Sequence, residues 1–101
     1  MTALFHPRPE DITLTALLAA LGDPVRLAIV RNLNCCEDGK NCGAAAPFPD
    51  ISRSTLSGHF RVLRASGLVW TTRRGVEYIN RLRREDIDAR FPGLLDTILA
   101  L

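Results

Sequence analysis

Apolar side chains recur with helical spacing over most of the chain and with strand-like spacing over one stretch near its middle. Leu14, Leu17, Leu18 and Leu21 fall at i, i+3, i+4 and i+7 and predict a helix over roughly residues 10 to 21, stopped by Gly22. Asp23 then offers an N-cap and Pro24 a first helical position, and Leu27, Val30 and Leu33 form the apolar edge of a second helix ending near Asn34. From Asn34 to Asp50 the periodicity gives way to Cys, Gly, Asn, Pro and acids. Pro47 and Pro49 leave room only for a short helical turn around Cys42 to Ala46.

The clearest pattern starts at Ser52, a good N-cap, and stops at Gly67, a residue that commonly ends helices. Between them Leu56, Phe60 and Leu63 make a narrow apolar stripe, while Ser54, Ser57, Gly58 and Arg61 project from the opposite side. One face is built to pack and the other to meet something outside. Leu68 to Thr72 and Val76 to Leu82 are rich in Val, Trp, Thr, Tyr and Ile, and Arg73-Arg74-Gly75 joins them as the tip of a hairpin. A further helical stretch opens at Glu85-Asp86, runs to about Phe91 and is interrupted by Pro92-Gly93. Leu94, Leu95, Ile98, Leu99 and Leu101 follow, apolar almost all round. The predicted fold is mainly α with a small β-hairpin, and the order of elements is that of a winged helix-turn-helix.

Composition narrows this picture. With 101 residues, 47% of them hydrophobic and 24% charged, the chain suits one domain over residues 1–101, with no second core. The apolar runs near Leu17 to Leu21 and Leu94 to Leu101 fall well short of the roughly 20 residues that span a bilayer, so no membrane partner is expected. The first ten residues show no signal-peptide pattern, which points to the cytoplasm. Net charge is only +2, but residues 51 to 84 hold eight Arg against the single acid Glu77, a local +7 that leaves −5 elsewhere. Such a surplus beside an outward polar helix suits a phosphate polymer. A solvated basic face is the plainer account.

Two motifs carry a family resemblance. Leu21-Gly22-Asp23-Pro24-Val25-Arg26-Leu27-Ala28-Ile29-Val30 and the run from Ser52 to Val69, followed by the hairpin, resemble the ArsR/SmtB family of bacterial metalloregulators over residues 12 to 100. The resemblance implies a homodimeric repressor that leaves operator DNA when an effector binds. A two-fold dimer would space two reading helices about one turn of DNA apart on a palindromic operator. The dimer is expected to form through Leu14, Leu17, Leu18 and Leu21 of the first helix and Leu94, Leu95, Ile98 and Leu99 of the last. The other reading is a terminal helix folded back on its own chain.

Expected DNA contacts are Arg53, Ser54, Thr55, Ser57, Gly58, Arg61, Arg73 and Arg74. Arg61 could pair bidentately with a guanine, Ser54 and Ser57 could touch bases or phosphates, and Arg53 at the helix start suits a phosphate. Arg73 and Arg74 would reach the minor groove or flanking phosphates, unless they only solubilise a turn. Gly58 departs from the family, which often has a second histidine there; its missing side chain either admits close approach or forfeits a contact. His59 is expected to be partly buried and hydrogen-bonded.

Cys35, Cys36 and Cys42 form the candidate sensor, because chemistry in their loop could tilt the reading helix. Three thiolates could bind a soft metal or metalloid ion such as arsenite, or zinc with His6, His59 or a carboxylate. Cys42 could instead form a disulfide with Cys35 or Cys36, with Lys40 favouring the thiolate and Glu37 and Asp38 opposing it. Unreactive loop cysteines are the third reading. The two cysteines separated by one residue that mark arsenic sensing in the family are absent, as are its His and acid pairs on the last helix. No nucleophile, base and pocket come together to suggest an enzyme, whereas a protein-interaction module without DNA remains the alternative.

Overall fold

The computed structural model describes residues 4–36 and 38–101; Glu37 and the side chain of Cys42 lie outside that description. Helix α1 (Leu14–Leu21) begins with its apolar stripe, later than the start near residue 10 expected from the sequence. A short 3-10 turn (Pro9–Asp11) precedes it, Ile12 is extended and buried, and Thr13 caps α1 by accepting the Ala16 N–H. Helix α2 (Pro24–Asn34) starts where the Asp-Pro pair placed it: the Asp23 carboxylate accepts the N–H groups of Val25 and Arg26 at 2.9 and 3.1 Å. The following loop holds strand β1 (Lys40–Asn41) and helix α3 (Cys42–Ala45), which Asn41 caps by accepting the Ala44 N–H.

Helix α4 (Arg53–Ser66) has the expected termini. Ser52 Oγ accepts the Thr55 N–H, and Gly67 ends the helix at φ +93°. The Gly67 N–H donates to Arg64 and the Leu68 N–H to Leu63, the two bonds of a Schellman cap. Strands β2 (Val69–Arg74) and β3 (Glu77–Leu82) pair antiparallel from Val69↔Leu82 to Arg74↔Glu77. The turn therefore consists of Gly75 and Val76, a correction to the hairpin tip read from the sequence. Gly75 takes φ +62° and no residue other than glycine has a positive φ among the described residues, the pattern of a type II′ turn. Arg73 and Arg74 are strand residues flanking that turn. β1 adds to the other side of β3, with Lys40↔Asn80 and Asn41↔Ile79, giving the order β1-β3-β2. Helices α5 (Arg84–Arg90) and α6 (Leu94–Leu99) complete the chain.

Leu56, Phe60 and Leu63 of α4 enter a core shared with Leu17 and Leu21, with Ile29, Val30 and Leu33 of α2, and with Leu68, Val69, Leu82, Ile87 and Leu95. Each such side chain contributes about 1.5–3 kcal/mol when fully buried. The core thus takes three residues expected at a dimer interface: Leu17, Leu21 and Leu95 pack within the protomer because the stripes of α1 and α6 are wider than one contact needs. Leu14 and Leu18 remain 43% and 46% exposed, and Leu94, Ile98 and Leu99 are half-buried. Among the described residues no helix is long and apolar enough to cross a membrane.

Candidate nucleic-acid interface

With its apolar stripe buried, α4 turns Arg53, Ser54, Thr55, Ser57 and Arg61 outward, all exposed. Gly58 lies among them, and a Cβ added there would meet nothing within 4 Å. At the start of the helix the Ser52 hydroxyl donates to Thr55 Oγ1 at 2.9 Å and lies 3.4 Å from Ser54 Oγ, so three hydroxyls gather at the first turn. That turn also presents unpaired backbone N–H groups, which favour an anion near Arg53.

The hairpin follows α4 after Gly67 and packs against it through β2. Arg73 donates from Nε to the Gly75 carbonyl and sits over the Tyr78 ring at 5.9 Å, while Arg74 is exposed and Val76 at the turn is 92% exposed. Val76, expected to begin the second strand, is instead a turn residue, placed there by the pairing of Arg74 with Glu77. The sheet is tied together internally by Asn80, fully buried, which accepts from Thr71 Oγ1 at 2.7 Å and donates to the Lys40 carbonyl at 3.2 Å.

The +7 segment is not one surface. Arg83 is 5% exposed, ion-paired with Asp86, bonded to the Pro7 carbonyl and placed over Trp70. Arg84 pairs with Asp88 and Asp96 and donates to Asn34. Arg83 ties the start of α5 to the N-terminal segment and Arg84 ties it to α2 and α6, and the sequence could not separate them from arginines that face outward.

His59 is partly buried on the flank of α4, as expected. Its Nδ1 lies 3.4 Å from Arg26 Nη1 and 4.0 Å from Asp23 Oδ2. Arg26 also donates to the Ala20 and Ala19 carbonyls at the end of α1, so one guanidinium joins α1, α2 and α4. Asp23 is held below the usual carboxylate range by the hydrogen bond from the Arg26 N–H, with the Arg26 charge and the Val25 N–H adding to it. Arg26 was present in the quoted motif without an assigned role.

Cys35 is exposed and donates to the Asn32 carbonyl; Cys36 is half-buried; both are free thiols. The side chains of Cys42 and Glu37 lie outside the described residues. Of the histidines offered to zinc, His59 is taken by the Arg26 junction. His6 stacks on Trp70 at 4.1 Å and accepts the Thr71 N–H at 2.9 Å. Among the described residues, which leave out Glu37 and the Cys42 side chain, no three His, Cys, Asp or Glu side chains converge to hold a metal.

A capped, outward-facing helix packed beside a three-stranded antiparallel wing defines the class: a winged helix-turn-helix regulator. No family model matches the chain. It is 32% identical over 89 residues to the helix-turn-helix-type transcriptional regulator YceK of Bacillus subtilis, covering 88% of this chain and 89% of that protein. The solved transcriptional repressor BigR of Xylella fastidiosa is 34% identical, with 84% of each chain covered and a TM-score of 0.62. An ArsR-like transcriptional regulator from Rhodococcus sp. RHA1 is 28% identical, covering 86% of this chain and 79% of that one at a TM-score of 0.63. The chain belongs to the ArsR family of transcriptional regulators, which are not enzymes.

Proposed function

We propose that the protein is a cytoplasmic, DNA-binding repressor that works as a homodimer on a two-fold operator, with residues 1–101 forming one winged helix-turn-helix domain. The observation that carries this is the two-sided α4: its apolar stripe is buried, and Ser54, Ser57, Gly58 and Arg61 form a continuous outward polar face. A helix of that kind fits the major groove, where base edges carry a distinct pattern for each pair. Arg61 is assigned to a base edge, Ser54, Thr55 and Ser57 to bases or nearby phosphates, and Arg53 to a phosphate. Arg73 and Arg74 would serve the flanking backbone or minor groove. Leu14 and Leu18, exposed on α1, with Leu94, Ile98 and Leu99 of α6, would form the dimer contact.

The cysteines are assigned the effector response. Cys35 and Cys36 sit a few residues before β1, which is hydrogen-bonded to the wing, so a thiol reaction that reshapes this loop bears on β3 directly. A conformational response of this kind couples the two sites reciprocally, typically by about 1–3 kcal/mol.

The test is a titration of the wild-type protein and an Arg61→Ala variant against duplexes that the wild type selects from a randomised pool. Wild-type affinity should fall steeply with salt, and Arg61→Ala should lose about 1–3 kcal/mol at one base pair per half-site. Undiminished binding by the variant removes Arg61 from the reading face. Repeating the titration with oxidant and with arsenite, on the wild type and a Cys35→Ser, Cys36→Ser, Cys42→Ser triple variant, tests the sensor. Equal responses from both proteins place it elsewhere.

A further inference from the structure

The helix that reads most clearly in the sequence contains one residue that nothing inside the chain requires. Glycine is among the least favourable residues in a helix interior, because it gives up the most backbone freedom and covers no neighbouring backbone. Interior helical glycines are explained by a left-handed backbone or by close packing, and neither holds at Gly58. It is not among the positive-φ glycines, which are Gly39, Gly67, Gly75 and Gly93. Nor does packing need it, since a Cβ built there meets nothing within 4 Å, whereas one at Gly67 would meet Ile12 at 2.5 Å. Gly58 nevertheless lies well within α4, one turn beyond Ser54 and adjacent to Ser57, on the outward polar face.

We propose that Gly58 is the point at which α4 comes closest to the floor of the major groove, and that its missing side chain determines which base pair the operator can carry there. This rests on the DNA-reading role of α4 set out above. A helix lying in the groove is held off by its outermost side chains. Ser54, Ser57 and Arg61 surround a gap at Gly58 into which the edge of a base can project, and a methyl group in that gap would have to displace it. A base edge is favoured over a phosphate because the first turns of a recognition helix meet bases, while the backbone is met at its ends and by the wing.

Gly58→Ala separates this role from a structural one by moving two measurements in opposite directions. The variant should melt higher, by roughly 4–8 °C at fixed protomer concentration, because alanine favours the helix and has open space. Its sedimentation behaviour should match the wild type. Its affinity for the duplex selected by the wild type should drop by about tenfold or more, with binding to an unrelated duplex of the same length unchanged. Reselection with the variant should return a site altered at one or two adjacent base pairs in each half. Equal or tighter binding of the original duplex overturns the proposal. So does an equal loss on both duplexes, which would mark a backbone contact, or a lower melting temperature or altered dimerisation, which would mark a packing role. If the wild type selects no duplex at all, the DNA-reading proposal falls and takes this one with it. Loss of the Gly58 effect alone leaves that proposal standing.

Discussion

Replacing Gly67 by alanine combines two penalties that a second glycine allows us to separate. Gly67 holds φ +93° at the end of α4, and a Cβ there would lie 2.5 Å from Ile12 Cγ1 and 2.7 Å from Cδ1. The left-handed backbone costs a non-glycine residue about 1–2 kcal/mol. Ile12 is only 2% exposed and sits in the short extended link before α1, so it can yield only by disturbing the core; overpacking of that kind costs about 1–3 kcal/mol. The sum, about 2–5 kcal/mol, is a large part of the 5–15 kcal/mol typical of a small domain. Gly93 shares the backbone term at φ +81° but has nothing within 4 Å of its Cβ. Gly93→Ala should therefore lose only about 1–2 kcal/mol. Urea unfolding followed by circular dichroism, at one fixed protomer concentration, measures both. Equal losses in the two variants would refute the contact between Gly67 and Ile12, and a Gly67→Ala protein as stable as wild type would refute the left-handed cap itself.

Other expectations follow from single groups. Ser52→Ala removes the acceptor for the Thr55 N–H and should cost about 1 kcal/mol, read as a melting point lower by roughly 4–8 °C. His6 is held below the ordinary histidine value by burial, then by the charges of Arg83 and Arg64, against a backbone hydrogen bond to Leu4. The unfolded chain thus binds a proton that the folded one resists, so the His6 contribution is present above about pH 6.5 and is lost as the pH falls below it. His6→Gln should flatten the stability profile in that window, and an unchanged slope would show that burial and the neighbouring arginines do not hold His6 neutral in the folded chain. Leu18→Glu places a charge on the exposed face of α1 and should shift sedimentation from dimer to monomer without lowering helical content. A variant that stays dimeric would move the interface off α1.

Much of this architecture was readable because its determinants are local. The N-cap at Ser52, the stop at Gly67 and the spacing of Leu56, Phe60 and Leu63 all belong to one helix, and Asp23-Pro24 start another through bonds to the next few residues. What escaped depends on distant partners. A strand of two residues, Lys40–Asn41, has no periodicity, and exists because β3 offers it an edge. The Arg-Arg-Gly run resembles a turn, yet pairing of Arg74 with Glu77 moves the turn one step along to Gly75-Val76. The sequence could not tell which leucines of α1 and α6 face their own core, nor that Arg83 and Arg84 are used up in holding α5. The candidate site follows the same division: the outward face of α4 was legible residue by residue, whereas the Arg26 junction and the exposed Val76 emerge only from the fold.

The sheet carries one further implication. Its outer member on the cysteine side reaches α2 through residues 35 to 39 alone, and Gly39, at φ +86°, already lies so close that a Cβ would fall 2.8 Å from the Asn80 carbonyl oxygen. At Gly39 the link therefore leaves no room for a side chain against β3. If the proposed thiol reaction takes place there, it would act on the two-residue β1–β3 ladder, and lengthening the link by a single amino acid should weaken the response; an undiminished response would refute the coupling.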